Sequence, residues 1–195
     1  ALVSRTLPPD HQAVEYAERA AAAVGRLQRL LEGAIAYTRA GVEALDVASV
    51  PLAPLLNEVV ADLTAVQADA TSRVGLTGPL DVAARGDEIA FRRIFDNLIG
   101  NALRYSDGLV ELLIERGPDP DEVTVGVLDG GAGFAGEDLE GLFEPFVRGR
   151  LDRERGGTGL GLAVAARLVQ QLGGRISADN HEGGGARVTV TLPAG

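Results

Sequence analysis

The sequence predicts an α/β fold, a two-layer sandwich in which a mixed sheet carries three helices on one face, preceded by an α-helical segment. Three observations predict it. Apolar residues recur at helical spacing in three separate segments. Two pairs of alternating segments bounded by turn residues read as strands. The order of these pieces, three helices, a strand pair, a helix and a second strand pair, suits a sheet covered on one side.

Pro8-Pro9-Asp10 punctuates the start, and Asp10 is placed to cap a helix over about residues 11–39. Val14, Ala17, Ala21, Val24, Leu31, Ile35 and Thr38 form its stripe, widened by Leu27, Leu30 and Ala34, a face that wants partners as in a bundle. Gly41 ends it, and a polar stretch at about 43–49 leads on. A second amphipathic helix is expected over 51–71 from Leu55, Leu56, Val59, Val60, Leu63 and Val66, and a third over 87–105 with Phe91, Ile94, Phe95, Leu98 and Ala102 on one side. Strands at 109–115 and 122–128 flank the turn cluster Gly117-Pro118-Asp119-Pro120. Beyond a Gly-rich stretch after Asp129, a helix over 158–172 is stopped by Gly173-Gly174, and strands at 175–178 and 186–192 close the domain. No internal repeat or low-complexity linker interrupts the chain.

Composition excludes several functions. With 195 residues and 46% apolar content, the chain can build one full core plus a helical appendage. Its longest apolar runs, 20–24 and 160–166, fall far short of the roughly 20 residues of a membrane span, so a membrane anchor, if one exists, lies elsewhere. The net charge of -10 argues against a nucleic-acid surface; Arg148, Arg150, Arg153 and Arg155 are a local basic exception. Without cysteine there are no disulfides, Cys-based zinc sites or thiol catalysis. All 18 basic residues are arginine. A Walker A loop and a Ser/Thr/Tyr protein kinase both need a lysine on the phosphates, so any nucleotide site must use another design.

Four motifs carry chemistry. On the third helix, within Asp96-Asn97-Leu98-Ile99-Gly100-Asn101-Ala102-Leu103-Arg104-Tyr105, Asn97 and Asn101 sit one turn apart with Arg93 and Arg104 on the same polar side. Neutral amides beside arginines suit an anionic ligand that brings its own metal, and equally a solvated helix face. In Val127-Leu128-Asp129-Gly130-Gly131-Ala132-Gly133 a strand-end carboxylate can accept from an amino group such as that of adenine, with glycines letting the backbone approach; alone, it also reads as a turn. Gly156-Gly157-Thr158-Gly159-Leu160-Gly161-Leu162 places side-chain-free N–H groups ahead of a helix N-terminus, an anion site made without lysine, or else a flexible loop. Its spacing is not that of the dinucleotide fingerprint. Leu142-Phe143-Glu144-Pro145-Phe146-Val147-Arg148-Gly149 leads into the arginine-rich stretch, which reads as a nucleotide lid or as a basic surface loop.

Taken in chain order, the third helix, the Asp129 segment, the Phe143-Glu144-Pro145-Phe146 segment and the Gly157 to Leu162 segment resemble the N, G1, F and G2 boxes of sensor histidine kinases, a branch of the GHKL superfamily that also holds gyrase, MutL and a heat-shock chaperone class. The match covers roughly 47–193. It implies the Bergerat ATP-binding fold, ATP and Mg²⁺ as ligands, and an ATP-binding catalytic domain over 42–195 after a partial dimerisation and phosphotransfer region over 1–41. By the same resemblance Asn101 is the Mg²⁺ ligand, Asn97 lies near the phosphates or their water, Arg104 contacts phosphate, and Tyr105 lies along the adenine. Asp129 takes the adenine amino group and Gly131 and Gly133 shape that pocket. Gly157, Thr158, Gly159, Leu160 and Gly161 hold the phosphates. Arg148 is a lid contact, and Phe146 completes the ATP-binding set. One departure stands out: the family usually has a hydroxyl residue where this chain reads Gly184-Gly185-Ala186.

No histidine fits the acceptor motif of such kinases: His11 starts a helix and His181 lies in a Gly-rich turn. The stretch 10–41, with its late Ala36-Tyr37-Thr38-Arg39, resembles the second bundle helix. With no methionine and a start in mid-pattern, the chain reads as a fragment whose acceptor histidine lies upstream. The resemblance further implies transfer of the ATP γ-phosphate to that histidine and on to a response-regulator aspartate in a receiver domain, a homodimer formed through the helical segment, and a cytoplasmic setting, with no nucleic acid bound and no membrane contact in this chain. Two alternatives stay open, a dimeric phosphotransfer scaffold with a decayed nucleotide site and an anti-sigma-type serine kinase.

Overall fold

The computed structural model describes residues 12–65, 73–134, 139, 141–147, 157–181 and 184–195. Seven strands and four α-helices are found among them: α1 (Gln12–Arg39), β1 (Ala48–Pro51), α2 (Leu52–Thr64), β2 (Val74–Thr77), β3 (Ala83–Gly86), α3 (Glu88–Tyr105), β4 (Val110–Arg116), β5 (Glu122–Asp129), α4 (Gly161–Gln171), β6 (Arg175–Asn180) and β7 (Ala186–Pro193).

The main sheet has the order β2-β4-β5-β7-β6. Its first pair is parallel and the others antiparallel, so the sheet is mixed. A separate ribbon of β1 and β3 is tied to the end of β7 through an Ala84–Ala194 bridge. Register aligns the inward rows: Leu112 opposes Val127, which opposes Val188, and Ile114 opposes Val125, which opposes Val190. All six are buried against the helices. Because strand side chains alternate, one face of each strand supplies the core and the other stays outside.

Helices α2, α3 and α4 cover that face. Leu52, Leu55, Leu56 and Val59 of α2, Phe91, Ile94, Phe95, Leu98 and Ile99 of α3, and Val164, Leu168 and Val169 of α4 join the strands in one core. Asp87 sets the start of α3: its Oδ1 accepts the Ala90 N–H at 2.8 Å and its Oδ2 accepts the Asp46 N–H at 2.8 Å. The same carboxylate thus caps the helix and anchors the incoming linker.

The structure revises several expected boundaries. Helix α2 is described to Thr64 rather than 71, with 66–72 outside the described residues. Helix α4 begins at Gly161 rather than Thr158. The segment Gly157–Leu160 is not helical, and Gly159, at a φ of 68°, takes a backbone conformation that a helix excludes. Strands β1, β2 and β3 were not expected. Each is four residues long, too short for alternation to register, and β1 falls in what reads as a polar linker. Asp10 and His11 lie outside the described residues.

Candidate functional site

Alternation along β5 places Val123, Val125, Val127 and Asp129 on the helix-facing side. The three valines are core. Asp129 ends the row, only 9% exposed, where a cleft opens beside α3. A buried carboxylate needs hydrogen-bond partners. Oδ1 of Asp129 accepts the Gly131 N–H at 2.8 Å and the Ala186 N–H at 3.4 Å. Both of these bonds go to Oδ1, and Asp129 lines the cleft. The Asp129 carbonyl accepts from His181 Nε2 at 3.3 Å.

Helix α3 lines the cleft with Asn97, Asn101, Arg104 and Tyr105. Asn97 Nδ2 donates to the Arg93 carbonyl at 2.8 Å, which turns Oδ1 outward. The start of α4 lies against this row: a Cβ on Gly161 would stand 3.0 Å from Asn97 Oδ1 and 3.8 Å from Asn101 Nδ2. No side chain caps α4, and Val164 is its first residue to bond back, to the Leu160 carbonyl at 2.9 Å. The uncapped N–H groups and the positive helix end therefore sit beside two amides, a setting made for an anion.

The cleft has a volume of about 760 Å³, within the range of roughly 300–1,000 Å³ usual for small-molecule sites. Val127, Asp129, Ala186 and Val188 close one end, the 132–134 loop a side, and Gly157 to Leu162 the other end. Of the residues expected in an ATP site, Asn97, Asn101, Arg104, Tyr105, Asp129, Gly133, Gly157, Thr158, Gly159, Leu160 and Gly161 line this one cleft. Gly131 stands behind it, donating to Asp129. Phe146 does not line it: the side chain is 62% exposed, and the residue contributes a backbone N–H to the Gly159 carbonyl at 2.8 Å. Its φ of 66° is the one positive value at a described non-glycine residue. Arg148, Gly156, Arg150, Arg153 and Arg155 lie outside the described residues. Arg93 shares the polar side of α3, but its guanidinium pairs with Glu43 at 3.7 Å rather than entering the cleft.

Sequence reasoning missed other lining residues. Phe134 and Val147 flank the glycine motifs. Asp96, also in the wall, has its carboxyl pushed above the usual range by burial, with Arg92 opposing the shift and Asp62 adding to it. Arg29, Glu32, Gly33 and Ala36 come from α1, which forms a further wall. Only tertiary packing brings α1 here. Gly33 lets it approach so near that a Cβ would lie 2.9 Å from Leu160 Cδ1. Arg167 stacks over Tyr37, its guanidinium carbon 4.9 Å from the ring centroid. Gln171 binds the linker on both sides, accepting the Gly41 N–H at 3.0 Å and donating to the Glu43 carbonyl at 2.7 Å.

Residues 86–195 match the family described as histidine kinase-, DNA gyrase B-, and HSP90-like ATPases. The sensor histidine kinase component HK1 of Mycobacterium tuberculosis is 38% identical over 143 residues, covering 73% of this chain and 82% of that protein. The chain belongs to the sensor histidine kinases of this ATPase family. The matched residues include α3, β5 and α4, which line the cleft. The sensor protein RstB of Escherichia coli is 37% identical over 175 residues, which is 87% of this chain and 40% of RstB. The chain thus spans well under half of that relative. Among solved structures, full-length ShkA in complex with AMPPNP superposes with a TM-score of 0.73 at 27% identity, over 96% of this chain and 40% of ShkA. The ATP-binding domain of PrrB from Mycobacterium tuberculosis gives 0.61 at 27% identity, over 77% of this chain and 98% of that domain.

Proposed function

We propose that this chain binds ATP with Mg²⁺ in the cleft beside α3 and donates the γ-phosphoryl group to a histidine, from which it passes to an aspartate of a response-regulator receiver domain. The observation that carries this reading is the polarity of the cleft. One end offers the carboxylate of Asp129 to an amino group; the other offers the Asn97 and Asn101 amides and uncapped N–H groups to an anion.

Asp129 selects adenine because two N–H groups already bond its Oδ1, which fixes the orientation of the carboxylate. Val127, Val188 and Tyr105 supply apolar area for the ring. Gly157 to Gly161 and the start of α4 neutralise phosphate charge through backbone N–H groups. Among the described residues no cluster of three or more His, Asp or Glu side chains could cage a metal. Asn101 fits the expected alternative, a single protein ligand to an ion otherwise held by phosphates. When bound, Mg²⁺ would neutralise phosphate charge at Asn101. Phosphoryl transfer demands mainly positioning and charge neutralisation. The bond between the γ-phosphorus and its bridging oxygen breaks as a phosphorus–nitrogen bond forms on the imidazole, and ADP leaves with that oxygen.

His181 is not the acceptor in this reading, since it sits at the base end with Nε2 on the Asp129 carbonyl. The region 1–41 is assigned to dimerisation and 42–195 to catalysis. Exposed Tyr16, Val24, Leu27, Leu31 and Ile35 along α1 support a helical partner, a second copy of the chain. No helix among the described residues is long and apolar enough to cross a membrane. The kinase relatives favour neither the decayed scaffold nor the serine kinase.

The test is transfer in trans. The chain is incubated with γ-labelled ATP, Mg²⁺ and a histidine-bearing helical hairpin from a sensor kinase. Acid-labile label should appear on the hairpin and be lost with Asn101→Ala. Acid-labile label on His11 or His181 of this chain contradicts the reading.

A further inference from the structure

Asn180 closes strand β6, opposite Ala186 of β7, and does not line the cleft. Its amide nevertheless holds one wall of it. Oδ1 accepts the Phe134 N–H at 2.7 Å, and Nδ2 donates to the Phe134 carbonyl at 2.9 Å. One side chain thus satisfies both backbone groups of a residue 46 positions away, as a neighbouring strand would. Only an amide has a donor and an acceptor spaced for this.

The segment so held is the one that shapes the base end. Between Asp129 and Phe134 the chain has two other anchors, Gly130 N–H to the Leu109 carbonyl at 3.2 Å and Gly131 N–H to Asp129 Oδ1. Gly133 is drawn onto Asn180 so tightly that a Cβ would stand 2.6 Å from Asn180 Oδ1, at a φ of +70°. From the other side Ala186, the cross-strand partner of Asn180, gives its N–H to Asp129 Oδ1. The two paired residues at the β6–β7 end therefore fix both the loop and the carboxylate.

We infer that Asn180 is a positioning residue for base selection: by clamping Phe134 it holds the 130–134 loop so that Gly131 keeps the Asp129 carboxylate aimed at the 6-amino group of a purine. This inference rests on the ATP reading of the cleft. Without the clamp the loop loses its far anchor, the Gly131–Asp129 bond loosens, and the carboxylate turns. What falls is discrimination at position 6 of the base, while the phosphate end, built on α3 and α4, is unaffected.

The experiment compares dissociation constants for Mg·ATP and Mg·ITP, which differ in a 6-amino against a 6-oxo group, for the wild-type chain, Asn180→Ala and Asn180→Asp. The wild-type chain should prefer ATP. Loss of two hydrogen bonds should weaken ATP binding by Asn180→Ala about tenfold while ITP affinity changes less than about twofold. Asn180→Asp keeps the acceptor but sets a carboxylate against the Phe134 carbonyl, and it should also lose the preference. Thermal midpoints should fall by no more than a few degrees, because the clamp lies at an exposed strand end and its loss leaves the buried core untouched. An unchanged ATP-to-ITP ratio in either folded variant overturns the inference, as does an equal loss for both nucleotides, which marks a merely structural role. If Asn180→Ala does not fold, Asn180→Asp alone decides. A wild-type chain without preference for ATP sinks the reading of Asp129 itself, and this inference with it.

Discussion

The backbone of Gly185 crosses that of Asp129 so closely that a Cβ on Gly185 would lie 1.8 Å from the Asp129 carbonyl oxygen. With φ at +100°, the position is also one that side chains rarely adopt. Gly185→Ala should therefore cost more than about 2 kcal/mol of stability. Urea unfolding measures the cost, and a folded remnant should bind ATP poorly because Asp129 has moved. Wild-type stability in this variant would mean that the β6–β7 end is not packed against Asp129.

Asp96 gives a pH dependence of known sign. Burial raises its carboxyl pKa, so the folded state holds the proton more tightly than the unfolded state. Its stabilising contribution is complete at low pH and is lost as pH rises from the unfolded value through the folded one. Asp96→Asn should raise the thermal midpoint at neutral pH and flatten that decline. Glu122, held low by the paired guanidinium of Arg175, works oppositely: its contribution is present at neutral pH and lost as pH falls through the folded value. Glu122→Gln should remove that acid-side loss. Midpoints measured across pH for both variants check the two signs separately.

Helix α1 leaves Leu27 65% and Leu31 62% exposed on one stripe. Changing both to glutamate should abolish self-association in sedimentation velocity while leaving the catalytic core, and hence ATP binding, intact. A wild-type chain that sediments as a monomer at all concentrations contradicts the assignment of α1 to dimerisation.

Gly100 sits inside α3 with open space where a Cβ would be. Gly100→Ala should stabilise the chain by about 0.5–1 kcal/mol, read from the shift in urea midpoint at constant slope.

The readable parts of this molecule are those whose signal is local. Helix α3 is legible because Phe91, Ile94, Phe95, Leu98 and Ala102 keep helical spacing along it, and β5 because Val123, Val125 and Val127 alternate up to Asp129. The glycine motifs mark both ends of the cleft for the same reason. What could not be read depends on tertiary packing. Strand β2 pairs parallel to β4 with only four residues, and α1 reaches the cleft because Gly33 accommodates Leu160, contacts that no spacing announces. Phe146, which the resemblance puts in the ATP-binding set, is exposed and absent from the cleft lining, and its backbone N–H bonds the Gly159 carbonyl, a tie that no sequence pattern announces.

The central claim is that Asp129 recognises adenine in a cleft whose other end holds the phosphates, and calorimetric titration of Mg·ATP into the chain and into Asp129→Asn tests it most directly. In the variant, Oδ1 stays on Gly131 and Ala186, so the new NH₂ group would face the adenine amino group as a second donor. One saturable site is expected in the wild-type chain and at least about tenfold weaker binding in the variant, the two melting alike. Equal affinity in the two proteins, or no saturable binding by the wild-type chain, would contradict it.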